Sequence, residues 1–91
     1  MDIQIKESIE RIQYMESLFD YLQQAAAGNQ TFIHTDAVCR EKLSILTHYY
    51  ENGLWLQDYI LDEQGLLPTS LKRGVLSQDG IYNFLADLRE G

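Results

Sequence analysis

Residues 49–85 read YYENGLWLQDYILDEQGLLPTSLKRGVLSQDGIYNFL, and this stretch decides the fold. It holds the only tryptophan (Trp55), the only proline (Pro68), four of the six glycines and four of the six tyrosines. Residues of such narrow purpose specify a shape. Asn52-Gly53 tolerates positive φ and separates two helical patterns, one ending near Tyr50 and one spanning about Leu54 to Gln64. Gly65 closes the second. Pro68 suits the first position of a single helical turn through Lys72, with Gly74 as its stop. Ser77 is a good N-cap and Asp79 faces the positive end of the helix that follows. That last helix is expected from Gln78 to about Arg89, burying Ile81, Phe84, Leu85 and Leu88.

Upstream the pattern is plainer. Ile5, Ser8, Ile12, Met15, Phe19, Leu22 and Ala26 recur at spacings of three and four, which predicts one long helix from about Ile3 to Ala27. Ile9, Leu18 and Ala25 widen its stripe, and Gly28-Asn29 suits a left-handed stop. A second helix begins between Thr31 and Asp36, because Asn29, Thr31, Thr35 and Asp36 are all competent caps. Cys39, Leu43, Leu46 and Tyr50 form its stripe, flanked by Val38, Ile45 and Tyr49. Glu7–Arg11 and Asp36–Arg40 are spaced for helical ion pairs. Two such helices joined by a short polar segment predict an antiparallel hairpin. No period-2 run asks for a strand.

The expected fold is therefore all-α: a small bundle made of a long antiparallel helix hairpin and two shorter C-terminal helices, in one domain over residues 1–91. The chain has 91 residues, 45% of them hydrophobic and 23% charged, which matches a folded domain. Per-residue scaling gives a net stability of about 5–14 kcal/mol. Its apolar runs are too short for a membrane span, and MDIQIKESIE has no apolar core of a secretory signal. The single cysteine, Cys39, cannot form an internal disulfide. A cytoplasmic location is the expectation. Seven basic against fourteen acidic residues give a net charge of −7, a field that repels phosphates, so nucleic acid is not an expected partner. Residues 68–88 resemble a helix-turn-helix only in outline, since Asp79, Asp87 and Glu90 face a single Arg89.

The pattern Tyr49-Tyr50, Gly53, Trp55, Asp58-Tyr59, Asp62-Glu63, Gly65, Leu67-Pro68 and LKRGVLSQDGIYNFL resembles a family of small bacterial proteins catalogued as a domain of unknown function. The resemblance covers Tyr49 to Leu85. It implies a short helical protein of bacterial cytoplasmic origin and supplies no mechanism.

Trp55, Asp58, Tyr59 and Asp62 fall at i, i+3, i+4 and i+7 and so share a helix face. The plain reading pairs Asp58 or Asp62 with Lys72 or Arg73, pinning the helix to the following turn. The sharper reading makes Trp55, Asp58, Tyr59, Asp62, Lys72 and Arg73 an interaction patch for a partner or a small ligand. Neither Asp58 nor Asp62 starts a calcium loop, because the required glycine position holds Glu63 or Leu67. His34, His48 and Cys39 lack zinc spacing. Cys39 lies on the apolar stripe and reads as a small buried hydrophobe. Trp55 reads as core, with Tyr49, Tyr50, Tyr59 and Tyr82 around it and their hydroxyls toward water. Gly80 reads as a close approach to an aromatic ring.

No catalytic residue, cofactor or metal is expected. The functional expectation is a non-enzymatic module that binds an unidentified protein, as a monomer or homodimer, with no membrane or nucleic-acid role. The alternatives are self-association through the first helix, or a ligand or divalent-metal site at Asp58 and Asp62 with Lys72 and Arg73.

Overall fold

The computed structural model describes residues 3–90; the side chains of Arg89 and Glu90, counted in the charge argument above, lie outside that description. Five α-helices and one 3-10 turn follow in order: α1 (Ile3–Gly28), α2 (Gln30–Thr35), α3 (Ala37–Glu51), α4 (Leu54–Glu63), the 3-10 turn Gly74–Leu76, and α5 (Gln78–Glu90). No β-strand occurs among the described residues. The all-α hairpin with two shorter C-terminal helices is the observed architecture, with α2 as an added piece.

The 26 residues of α1 span roughly 39 Å at 1.5 Å per residue, nearly the long dimension of a 42 × 23 × 21 Å molecule. Every other element leans on this spine. α3 runs antiparallel to it: Lys42 sits 4.9 Å over the Tyr21 ring, while Tyr49 meets Arg11 across a shared partner. α5 packs on the second half of α1, with Phe19 and Phe84 edge to face at 5.3 Å. Ile12, Leu18, Phe19 and Leu22 of α1, Ile33, Leu46, Tyr49, Trp55, Val75, Ile81 and Leu85 form one continuous core.

Cap chemistry explains the boundaries. Two of the four rival N-caps of the second helix are used, which is why α2 exists. Asn29 accepts from Thr31 N at 3.0 Å to start α2, and Asp36 accepts from Cys39 N at 3.0 Å to start α3. The left-handed stop expected at Gly28-Asn29 is absent, for Asn29 is extended (φ −163°) and Gly28 stays helical. Gly53 is left-handed (φ 96°) and links α3 to α4, as its position after Asn52 suggested. Gly65 (φ 72°) ends α4 in a Schellman motif, with Leu66 N to Leu61 O at 3.1 Å and Gly65 N to Asp62 O at 3.0 Å.

Other expectations fail locally. Pro68–Lys72 is not helical: Pro68 opens a turn closed by Leu71 N to Pro68 O at 3.2 Å, and the chain stays irregular to Arg73. Gly74 therefore stops nothing; it begins the 3-10 turn. Gly80 approaches no ring. Its nearest neighbours are Ser77 Oγ and Cβ, because Ser77 caps α5 through Gly80 N. Val38 points to solvent rather than into the core.

Candidate functional site

The residues that carry chemistry in this chain meet in three small clusters where the C-terminal block touches α1. The first surrounds Asp58, whose side chain is fully buried. Arg11 grips it with two bonds, Nε to Oδ2 at 2.9 Å and Nη2 to Oδ1 at 2.6 Å. Tyr49 donates its hydroxyl to Oδ2 at 2.7 Å, and Arg11 Nη2 also donates to the buried Ser8 Oγ at 3.0 Å. A carboxylate taken out of water needs this density of donors, since an unpaired buried charge is strongly unfavourable. The cluster joins α1, α3 and α4 at one point. Burial first, then the bond to Asp58 and its negative charge, push the Tyr49 phenol far above its ordinary range, against the opposing pull of Arg11. The Arg11 guanidinium is raised in turn, chiefly by its bond to Asp58 and against the cost of its own burial.

The second cluster is centred on Val75 in the 3-10 turn. Its amide donates to Glu16 Oε2 at 2.7 Å, and its carbonyl accepts from the Trp55 indole at 2.9 Å. Glu16 is buried on α1 and Trp55 is buried on α4. The two peptide groups that flank Val75 are thus held, one from α1 and one from α4. Gly74 is required here by a close approach: a Cβ on it would stand 2.9 Å from Glu16 Oε1. Tyr59 stacks on Trp55 at 5.1 Å and Tyr50 tilts against it at 5.0 Å. Tyr49 and Tyr82 do not join this group as expected, because Tyr49 serves Asp58 and Tyr82 is exposed.

The third cluster pins the irregular segment. Arg73 pairs with Asp62 and donates to the carbonyls of Pro68 and Leu71, so one guanidinium organises the loop it ends. Lys72 reaches the other way, to Asp20 of α1 at 3.3 Å. This pair is exposed and contributes about 0–1 kcal/mol.

The six residues singled out from the sequence do not form one surface. Trp55 and Asp58 are interior, Tyr59 and Asp62 are half-buried, and Arg73 and Lys72 diverge to different carboxylates. The expected pairing of Asp62 with Arg73 is present. Asp58 instead takes Arg11 of the adjacent helix α1. Three residues that matter structurally were missed: Arg11 as Asp58's partner, Ser8 as a polar group in the network, and Glu16. A signal for Glu16 was available, since it stands four after Ile12 and three before Phe19, on the buried stripe itself.

Cys39 is buried, and desolvation followed by the Asp36 carboxylate pushes its thiol up, away from thiolate chemistry. His34 and His48 are both exposed. Among the described residues no three His, Cys, Asp or Glu side chains converge as metal ligands, and no helix is long and apolar enough to cross a membrane. What the three clusters do chemically is satisfy one another and fix α4, the loop and the 3-10 turn to α1.

No curated protein and no solved structure matches the chain. Residues 12–91 match the model of a family described as a domain of unknown function, DUF4298, a span that includes all three clusters except Ser8 and Arg11, and the chain belongs to that family.

Proposed function

We propose that this is a non-enzymatic protein-interaction module of the bacterial cytoplasm, using the outer face of α4 to bind a partner that is apolar at the centre and basic at the rim. The observation that carries the reading is the exposure of Leu56 (53%) and Ile60 (46%), one helical turn apart on the side of α4 away from Trp55 and Asp58. Leu66, just past the helix end, is 48% exposed as well. Large aliphatic side chains grouped on a rigid helix favour a contact that removes them from water. Glu63, exposed and seven residues after Leu56, borders this face, and the net charge of −7 steers toward a basic partner. Support for a non-catalytic role comes from the engagement of the polar groups: Asp58 and Glu16 hold the fold, and Cys39 is sealed.

The test is a double substitution, Leu56→Glu with Ile60→Glu, used as bait beside the wild type in host lysate. Both positions are exposed, so the melting temperature stays within a few degrees. The reading expects one protein, released by salt, to be recovered by the wild type alone; equal recovery by both baits contradicts it. A second reading, self-association through α1, is favoured by the exposed Tyr14 and Tyr21 on one side of that helix. Light scattering of the wild type at micromolar concentration separates a dimer from a monomer.

A further inference from the structure

Between α1 and the 68–72 segment lies a groove of about 430 Å³, within the size range of small-ligand sites. Its walls include Ile9, Pro68 and Leu71, and its polar groups include Glu16, Asp20 and Lys72. Glu16 is the unusual member. It is a carboxylate only 7% exposed, and one of its oxygens is held by the Val75 amide, a neutral donor. No ion pair to Glu16 occurs among the described residues: Lys72 is taken by Asp20, Arg11 by Asp58 and Arg73 by Asp62. Among the described residues no donor reaches Oε1 either, yet no side-chain oxygen is both sealed from solvent and unbonded. Oε1 is therefore not sealed from solvent, and Glu16 is one of the residues that line the groove.

We propose that this groove binds an alkylammonium group, with the ammonium on Glu16 Oε1 and the methylene stem along Ile9, Pro68 and Leu71. A charged acceptor at the bottom of a partly apolar channel suits a cation with an aliphatic body, the same division of labour by which lysine stems lie on apolar surfaces. A divalent metal fits poorly. It asks for six or more oxygen ligands, and the groove offers one free Glu16 oxygen, an Asp20 carboxylate already paired with Lys72, and otherwise neutral hydroxyls and an amide. Two sources present the same chemistry, a free diamine and the lysine side chain of another protein. The proposal is independent of the α4 surface, because the groove lies on α1 and the loop.

The experiment is an NMR titration of the full chain with three probes: diaminopentane, N-acetyl-lysine amide, and N-acetyl-norleucine amide as the stem without its charge. The Gly74 and Val75 amides are the reporters, since Val75 N donates to Glu16. The first two probes are expected to shift these amides and the norleucine amide is not. Tighter binding of the diamine assigns a free amine; tighter binding of the lysine amide assigns a peptide side chain. Glu16→Gln keeps a carbonyl for the Val75 amide and so keeps the fold, but weakens binding about tenfold or more through loss of a charge-assisted bond. Ser17→Arg, at an exposed groove position, places a cation in the channel and also abolishes binding. Unchanged affinity in Glu16→Gln, or shifts spread over the acidic surface that vanish with added salt, overturns the proposal.

Discussion

Arg11 and Asp58 lie 47 residues apart in the chain and meet through two hydrogen bonds inside the molecule, where Asp58 has no solvent contact and Arg11 keeps 19%. Their pairing fixes the register of α4 on α1. Removing Asp58 by substitution to Ala leaves Arg11 and the Tyr49 hydroxyl without their partner, and breaking such a pair costs about 3–5 kcal/mol. Urea denaturation measures it. A loss under about 1 kcal/mol would show that water replaces the carboxylate freely. Arg11→Met combined with Asp58→Leu is expected to recover much of the loss, since an apolar pair of similar volume has no charge to desolvate.

Tyr49 gives the same cluster a pH signature. Its phenol is raised in the fold, so the folded state keeps the proton that the unfolded chain releases near the ordinary value of about 10. The stabilisation is complete below about pH 10 and declines as the pH rises beyond it. Tyr49→Phe is expected to be about 1–3 kcal/mol less stable at neutral pH, yet to lose less on going to about pH 11. The urea midpoint of both proteins, followed from about pH 8 upward, checks this, because the remaining tyrosines cancel in the difference. Parallel curves would place Tyr49's ionisation outside folding.

Gly74 and Glu16 should be coupled. Gly74→Ala sets a Cβ 2.9 Å from Glu16 Oε1, so the carboxylate must leave the Val75 amide or the turn must shift. A loss of about 1–3 kcal/mol is expected. In a Glu16→Ala background the same change should be nearly neutral, and a double-mutant cycle measures the difference. Additive effects would contradict the close approach.

Trp55→Ala removes a side chain that is core and hydrogen-bonded at once, for a loss of about 3–5 kcal/mol, a large share of a small domain's stability. The dispersed resonances of α4, the 3-10 turn and α5 should collapse while α1 and α3 keep helical signal. A variant with unchanged melting temperature and full dispersion would show that the indole supports little.

Much of the fold was legible because it rests on local rules. The stripe of α1, the Asn52-Gly53 link, the Gly65 closure and the Ser77 cap depend on residues within a few positions of one another. Even the doubtful start of α3 was written in the chain, as two caps rather than a choice among caps. In the segment from Leu66 to Arg73 the Asp62–Arg73 pair was legible but the path of the chain was not, because it is set by Arg73 bonding two carbonyls of the loop itself. The candidate site fared worse for a related reason. Helical spacing showed that Trp55, Asp58, Tyr59 and Asp62 share a face, but whether that face meets water or Arg11 is decided by a helix 47 residues upstream.

The most direct test of the Trp55–Val75–Glu16 clasp is native-state hydrogen exchange at the indole N–H and the Val75 amide. Both should exchange only through global unfolding, with the same protection free energy as the core of α1. Fast exchange at either site, while α1 and α3 stay protected, would contradict the account and make the C-terminal block a loosely attached flap.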